Sequence, residues 1–282
     1  MFDRLIEINR KDLLALKNLY SPDGSKSYIA YTTLDNYIRW FEQDPCIKHI
    51  SAFCLNGDFS DGTFVITDRC SIYVDTFNEN LDNLLRLLKL IDYSKGYDFL
   101  SVRPALRPIV REALSSISVE IVTDEPTLLC YMRKEEALKI KVHPPDGIQL
   151  RQITKDSDIE KVNAVWPERN ENSFQFLKRM IMNNICIGVF REEDGRLLSW
   201  NLRLPTGLLG VLQTDQEFYG RGYATLVKKA IARKVAESGD DIYYDIFANN
   251  TAARNLANKL GFKIIGEVYW IATKITWTTD DE

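Results

Sequence analysis

Hydrophobic and polar residues alternate along the chain with two periods, one typical of strands and one typical of amphipathic helices. From residue 147 onward, "GIQLRQI" alternates as a strand, whereas "DSDIEKVNAVW" and "NSFQFLKRMIMNN" have helical spacing. Three strand-like runs joined by short turns follow and predict a meander: "ICIGVFRE", "LLSWNLRLP" and "LLGVLQTD".

A helix is predicted directly after this meander, behind a turn that contains Gly220 and Gly222. The apolar residues of this helix share one face: Tyr223, Leu226, Val227, Ala230, Ile231 and Val235. The solvent-facing side is expected to carry the basic residues Lys228, Lys229, Arg233 and Lys234. The pattern then predicts a strand at "DIYYDIF", a helix at "NNTAARNLANKLGF" and one or two final strands within "KIIGEVYWIATKITW".

The upstream half repeats much of this order of elements, which predicts a duplicated topology. Two prolines and a glycine in "KVHPPDGIQL" mark a linker near Pro144–Gly147. The predicted domains are therefore residues 1–143 and residues 144–282.

The two halves differ at the turn that follows the meander. Where the downstream half has two glycines, the upstream half has "FNENLDN", with Glu79 and Asp82 in the first helical turn. Carboxylates at a helix start stabilise the helix but repel a bound phosphate. We therefore expect no phosphate ligand at this position of the upstream half.

The composition of the 282 residues, 45% hydrophobic and 27% charged with a net charge of −4, is typical of a globular protein. The interspersed charges argue against nucleic acid and anionic membranes as principal partners. No apolar run is long enough to span a membrane, and the N-terminal residues fit neither a secretory signal nor a transit peptide. An intracellular, cytoplasmic location is expected, and a mitochondrial one stays open.

The five cysteines are scattered through apolar stretches without a C-x-x-C pair, which indicates free thiols in a reducing compartment. The chain has only two histidines, His49 and His143. A zinc site or a histidine-based triad therefore lacks ligands, and no metal is expected.

The turn at Gly220 and Gly222 has the features of an anion site. It follows a strand and opens a helix, so that free N–H groups and the positive end of the helix dipole point outward together. The dinucleotide fingerprint would need a glycine at Thr225, and a Walker loop would need Gly-Lys-Ser/Thr where Tyr223 and Ala224 follow. The ligand is thus predicted to be a phosphate compound of another kind, the alternative being a turn that only bends the chain.

This arrangement resembles the phosphate loop of the GNAT superfamily of acyl-CoA-dependent N-acyltransferases, Q/R-x-x-G-x-G/A, which stands here as 217–222 with Glu217 in the first place. The second signature of the superfamily is matched by "NTAARNLANKLGF". Within the superfamily, "FLKRMIMNN", "GRLLSWNLRLPTG" and "EFYGRG" are similar to the glycine N-acyltransferase-like group. The resemblance implies an α+β fold of two GNAT-like domains, each a mixed, mostly antiparallel sheet flanked by helices, with a degenerate first domain.

The resemblance also implies how acyl-CoA or acetyl-CoA would be held. Backbone groups of Leu212, Gln213 and Thr214 would pair with pantetheine in a gap between two diverging strands. Asn250 would hydrogen-bond the pantetheine arm from the far side, or serve only as a helix cap. The pyrophosphate would be cradled by the N–H groups of six consecutive residues: Tyr219, Gly220, Arg221, Gly222, Tyr223 and Ala224.

The sequence departs from its relatives at both usual catalytic positions, so no catalytic residue is assigned. The tyrosine that commonly protonates the leaving thiolate falls at Ala257, and the glutamate proposed as base falls at Leu208. The side chains that are weighed as substitutes are Tyr243, Tyr244, Asp245 and Asp215, each also explicable as structural. Arg203 is considered as a partner for an acceptor carboxylate.

Three hypotheses stay open. The first is an N-acyltransferase that moves an acyl group from acyl-CoA to a small amine or amino acid. The second is a pseudoenzyme that binds acyl-CoA for sensing or scaffolding, and the third is an interaction protein that does not use CoA. The chain is expected to act as a monomer or a homodimer.

Overall fold

The computed structural model describes residues 2–21, 27–167, 169 and 173–277. Its contacts define two compact units, the first formed by Met1–Thr127 with Glu267–Glu282 and the second by Leu128–Gly266. The α-helices within the described residues are α1 (Leu13–Leu19), α2 (Tyr28–Gln43), α3 (Asp82–Leu88), α4 (Arg107–Ser116), α5 (Lys134–Ala137), α6 (Asp156–Val165), α7 (Ser173–Asn183), α8 (Tyr223–Glu237) and α9 (Thr251–Leu260). The strands are β1 (Leu5–Glu7), β2 (Ile50–Leu55), β3 (Phe64–Asp68), β4 (Ser71–Asp75), β5 (Asp98–Val102), β6 (Ile121–Met132), β7 (Ile148–Arg151), β8 (Cys186–Arg191), β9 (Leu197–Arg203), β10 (Leu209–Thr214), β11 (Ile242–Phe247) and β12 (Lys263–Thr273).

One order of elements occurs twice along the chain. A strand, two helices, a three-strand meander, a helix, a strand, a helix and a strand run from β1 to β6, and the same series runs from β7 to β12. The repeated topology that the hydrophobic pattern indicated is therefore present.

The sheet of the first unit has the neighbour order β1-β2-β3-β4-β5-β12. Among the described residues, β1–β2, β2–β3, β3–β4 and β5–β12 pair antiparallel, whereas β4 and β5 are parallel, with Ser71 facing Asp98 and Ile72 facing Phe99. Helices α3 and α4 bury their leucines against this sheet, with Leu84 and Leu114 fully enclosed. Burial of a leucine side chain contributes about 1.5–3 kcal/mol, so this interface is a main source of stability for the unit.

The sheet of the second unit has the neighbour order β7-β8-β9-β10-β11-β6. Its meander is antiparallel, whereas β10 and β11 are parallel because α8 connects them as a crossover. Ile231 and Val235 of α8 and Ala257 of α9 are packed with Tyr244 in one core cluster. The predicted fold class, a mixed and mostly antiparallel sheet flanked by helices in each unit, is confirmed.

The last strand of each repeat crosses the division between the units. Residues of β6 from Leu128 onward belong to the second unit, and residues of β12 from Glu267 onward belong to the first. The division by contacts therefore differs from the domains 1–143 and 144–282. That boundary stays a prediction about where one sequence repeat ends and the next begins.

Candidate functional site

Strands β10 and β11 meet at one end only. Their register contains the single pair Leu209 and Tyr244, and no later residue of β10 has a partner on β11 within the described chain. The other edge of β10 pairs with β9 but is irregular between Gly210 and Gln213. Val211, inside this irregularity, has φ 52°, a conformation that is strained for a β-branched residue. Strain of this kind and a gap between parallel strands both occur at ligand sites.

The turn between β10 and α8 presents bare α-carbons to open space. Gly220 has φ 76° and Gly222 has φ 83°, values that favour glycine. A Cβ built at either position would meet no atom within 4 Å. Both glycines are therefore required by the backbone conformation and not by internal packing, and the space beside them is free for a ligand.

The peptide N–H groups of this turn point to no internal acceptor. Helix α8 starts with the bond from Leu226 N–H to the Gly222 carbonyl, and its start has no side-chain cap. Within the described part of the chain, no hydrogen bond uses the N–H groups of residues 220–225. Tyr219 differs from the other predicted donors, since its N–H is 3.3 Å from the Gln216 carbonyl in the preceding turn. Five of the six predicted amides are thus available to an anion.

A basic cavity of about 280 Å³ opens beside the start of α8. Arg221 and Lys229 line it from the turn and the helix, and Lys141 and His143 line it from the segment before β7. The positive end of the helix dipole adds to these charges. The cavity therefore favours an anionic ligand. Sequence reasoning treated His143 as part of a linker and missed this position, which only the folding of 141–145 against α8 reveals.

An ion-pair network holds the approach to the turn. The Asp215 carboxylate accepts hydrogen bonds from Lys161 Nζ at 2.5 Å and from Arg196 at 2.9 Å, and Arg196 also pairs with Glu217. Burial alone would raise the pKa of Asp215, but these two cations lower it. Asp215 is therefore a fixed anion that positions the turn, and it is unsuited to the base role weighed for it.

Lys228 contradicts the predicted solvent-facing position on α8. Its side chain is 1% exposed, and its Nζ lies 3.5 Å from the centroid of the Tyr244 ring and 5.9 Å from that of Phe262. Burial lowers the pKa of Lys228 to about 7, although nearby Cys130 and Asp245 by themselves would raise it. The sequence did contain the signal, because Lys228 precedes Ile231 by three residues and so shares its buried face.

Two further candidates from the sequence are engaged within the protein. Arg203 is buried and donates to Asp240 at 2.7 Å, so its charge is already compensated and an acceptor carboxylate would have to compete with Asp240. Tyr243 packs on the Tyr131 ring at 4.9 Å between centroids, and burial raises its pKa. Neither geometry favours a direct catalytic role.

The equivalent position in the first unit is filled by its own side chains. Asn80 N–H donates to Asn78 Oδ1 at 3.0 Å and Asp82 N–H donates to Asn80 Oδ1 at 3.1 Å, so backbone donors at this helix start already have internal acceptors. Beyond the last β4–β5 pair, Arg103 bridges the strand ends by binding Asp75 at 2.5 Å. The expectation that this half holds no phosphate stays a prediction, and these internal acceptors support it.

Comparisons with known proteins identify the fold. A family model described as FR47-like protein matches residues 186–271. An X-ray structure of a Drosophila protein is 22% identical, with a TM-score of 0.86 over 97% of this chain and 99% of that one. A tandem GNAT protein from the clavulanic acid biosynthesis pathway is 13% identical, with a TM-score of 0.60 over 96% of this chain and 98% of that one. The chain has the fold of the GNAT N-acetyltransferases.

One further solved structure resembles this chain over most of its length. A GCN5-related N-acetyltransferase from Sphaerobacter thermophilus is 13% identical, with a TM-score of 0.54 over 97% of this chain and 95% of that one. No curated protein matches the sequence. The TM-scores of these structures show the fold, whereas identities this low carry no information about the substrate.

In this GNAT fold, the sequence-predicted coenzyme residues lie at one edge of the second unit's sheet. Leu212, Gln213 and Thr214 end β10, and Asn250 follows the end of the parallel strand β11. Asn250 Oδ1 accepts from Ala253 N–H at 3.0 Å, so its helix-cap role is observed, and no hydrogen bond to another described residue uses its Nδ2 donors. The structure thus brings the predicted residues together around the gap and the turn.

Two apolar, enclosed residues occupy the position of the usual GNAT acid and that of the base proposed for the glycine N-acyltransferase-like group. Ala257 is 1% exposed and Leu208 is fully buried. Any acid–base help must therefore come from another side chain or from water.

No group of three or more metal-ligating side chains occurs among the described residues, and none of the helices there is long and apolar enough to cross a membrane.

Proposed function

We propose that the second unit binds acyl-CoA or acetyl-CoA and transfers the acyl group to the amine of a small molecule or amino acid. One observation carries the proposal: the unpartnered N–H groups of residues 220–224 lie beside a basic cavity, next to two parallel strands that part after Tyr244. The diphosphate would accept from these amides, and the pantetheine arm would enter the gap. Because acyl-CoA is made inside cells, we place the activity there.

The chain's own residues fit the coenzyme. Open space beside Gly220 and Gly222 admits a phosphate, and the charges of Arg221, Lys229 and Lys141 match its anionic groups. The free edge of β10 from Leu212 to Thr214 offers backbone groups to an extended amide-containing arm. Bound there, the coenzyme supplies an activated acyl thioester. Holding amine and thioester together contributes several kcal/mol to catalysis by orientation alone.

The resemblance of "GRLLSWNLRLPTG" to the glycine N-acyltransferase-like group supports an amino acid as acceptor. Arg203, the basic side chain first considered for its carboxylate, is paired with Asp240. We therefore propose amines without a carboxylate group as acceptors, as well as amino acids. We also propose a monomer or homodimer as the active form.

A second function is favoured by the buried Ala257 and Leu208, which offer no proton donor or acceptor at the usual positions. In this alternative the chain binds acyl-CoA for sensing or scaffolding without turnover. General acid–base catalysis typically contributes about 10²–10⁴-fold, so its loss predicts a slow enzyme more readily than an inert one.

The experiment combines an activity panel with a binding measurement. Purified protein is incubated with acetyl-, benzoyl- and longer acyl-CoA and a panel of amines and amino acids, and CoA affinity is measured by calorimetry for wild type and Gly220→Glu. We expect acyl transfer by the wild type and loss of CoA binding in the variant, because a carboxylate would enter the anion space. Tight binding without transfer would support the alternative, and unchanged binding by Gly220→Glu would remove both.

A further inference from the structure

The proposed reaction lacks an assigned proton donor, and a buried lysine lies in the region where one is needed. Lys228 is one of the largest fully enclosed side chains of the chain. Within the described residues its Nζ makes no hydrogen bond or ion pair, and its contacts are the rings of Tyr244 and Phe262. A buried amine without a carboxylate partner is costly and calls for a reason.

The position of Lys228 relates it to the gap. Tyr244, over which its Nζ lies at 3.5 Å, is the β11 residue of the single pair between β10 and β11. The amine therefore lies where the two strands begin to part. Lys228 is six residues after Gly222, so it stands about 9 Å along the helix axis from the turn at a rise of 1.5 Å per residue.

The same aromatic pair connects Lys228 with the empty acid position. Ala257 belongs to the core cluster that contains Tyr244 and Phe262, whose rings are 4.8 Å apart. An alanine there lacks the ring and the hydroxyl group that a tyrosine would place at this position. The lysine amine lies near both rings of this pair and carries a dissociable proton that Ala257 lacks.

The groups around the amine suit proton transfer. The nearby groups from β6 and β11 are the Cys130 thiol, Tyr244 and Asp245, and the uncharged Phe262 ring lies just after α9. Burial lowers its pKa to about 7. A thiol has an ordinary pKa of about 8.5, so transfer from this ammonium to a thiolate is downhill. An acid with a pKa near the working pH is also the most effective kind.

We propose that Lys228 is the catalytic acid that protonates the departing thiolate, in place of the residue missing at Ala257. This rests on the proposed acyl transfer. The acceptor nitrogen forms its bond to the acyl carbon, and the carbon–sulfur bond breaks with its electron pair leaving on sulfur. The Lys228 ammonium gives its proton to that sulfur and becomes a neutral amine. The proton lost by the acceptor nitrogen passes to water, and water reprotonates Lys228.

The test compares Lys228→Met, Lys228→Arg and the control Lys234→Met in the full chain. Lys234 is an exposed residue of the same helix and pairs with nearby Glu237. Steady-state kinetics over pH are expected to show wild-type kcat falling as pH rises through about 7. Lys228→Met should lose about 10²-fold in kcat with little change in KM for acyl-CoA, and it should lack this alkaline decline. Lys228→Arg should also lack the decline, because arginine does not release its proton in this range.

A second measurement does not depend on turnover. The pKa of the thiol of bound CoA is followed by the ultraviolet absorbance of its thiolate. An ammonium or guanidinium beside the sulfur lowers the pKa of the thiol, so Lys228→Arg, which keeps its charge, should show the largest lowering. Wild type and Lys234→Met should show a smaller lowering, because Lys228 itself loses its proton near pH 7, and Lys228→Met should show the value of free CoA. A thermal melt of each variant verifies folding, and Lys228→Met is expected to be at least as stable as wild type because a buried charge is removed.

The outcomes separate this inference from the proposed function. Unchanged kcat, pH profile and thiol pKa in Lys228→Met would overturn the acid role and leave acyl transfer intact. A wild type that binds CoA with a lowered thiol pKa but transfers no acyl group would refute the proposed function while supporting the contact between Lys228 and the thiol. A wild type that does not bind CoA would overturn both.

Discussion

Replacing Gly222 by alanine separates the use of the turn as a bend from its use as an anion site. Gly222 has φ 83°, and a Cβ there would meet no atom within 4 Å. The substitution therefore causes no internal clash. Its only cost in the free protein is the left-handed backbone, about 1–2 kcal/mol for a residue with a side chain. For a chain of this size, that corresponds to a fall in melting temperature of about 2–6 °C.

The effect on CoA binding is expected to be larger. The new methyl group would stand beside the free N–H groups at the start of α8, in the space that a phosphate must enter. A hydrogen bond to a charged group is worth about 1.5–3 kcal/mol, and displacement of the phosphate would weaken at least one such bond and in part a second. A loss of about 2–4 kcal/mol raises the dissociation constant by about 30- to 1,000-fold.

Gly239 provides a matched control at the other end of the same helix. It has φ 99°, and a Cβ there would also meet no atom within 4 Å. Gly239→Ala should therefore lower the melting temperature by a similar amount and leave CoA affinity unchanged, as measured by differential scanning fluorimetry and calorimetry. If Gly222→Ala melts lower but binds CoA as wild type does, the turn is only a bend and the assignment of the anion site is refuted.

Three other predictions concern buried charges and the first unit. Asp240→Ala should lower the free energy of unfolding by about 2–3 kcal/mol in a urea titration, because the buried Arg203 guanidinium loses its carboxylate; an unchanged midpoint would contradict this. From about pH 7 to about pH 10.4, wild-type stability should rise relative to Lys228→Met by about 1.4 kcal/mol per pH unit, because the unfolded chain binds a proton that the folded lysine has lost; parallel curves would show an ordinary lysine. Calorimetry with CoA should give one site per chain, since Asn78 and Asn80 already accept from backbone N–H groups at the equivalent helix start in the first unit, and a stoichiometry of two would disprove this.

Much of each unit followed from hydrophobic periodicity. The meander, the turn at Gly220 and Gly222 and the helix behind it were predicted because strands and helices place apolar residues with periods of two and 3.6. The observed elements β8, β9, β10 and α8 coincide with these runs. Local turn chemistry also succeeded, since Gly261 ends α9 with φ 84° as a helix terminus requires.

The local hydrophobic pattern does not predict which neighbouring strand each of the final strands joins. β6 and β12 hold equivalent positions in the two repeats, each as the last strand of its repeat. Their hydrophobic patterns do not encode which of β5 and β11 each one joins. Only the summed long-range contacts decide that β12 lies beside β5 and β6 beside β11. A boundary drawn from a proline-rich linker cannot include this information.

The sequence reading of the site failed where polarity was taken as a measure of exposure. Lys228 was assigned to the solvent side because it is charged, although its spacing from Ile231 and Val235 places it on the buried face. The aromatic rings of Tyr244 and Phe262 make the exception tolerable, since the face of a ring attracts a cation. Interactions of this kind join distant parts of the sequence and cannot be derived from α8 alone.

The contrast between the units bears on why the turn in the second one is open. Both repeats build a helix start at the same place in their topology, and in the first repeat the protein's own Asn78 and Asn80 side chains accept from backbone N–H groups there. In the second repeat the cations Lys141, Arg221 and Lys229 surround a helix start without a carboxylate of their own. Like charges brought together in this way repel one another, so a fold under selection for stability alone would fill the site as the first repeat does. The open, positively charged helix start of the second repeat therefore supports the proposal that an external anion binds there.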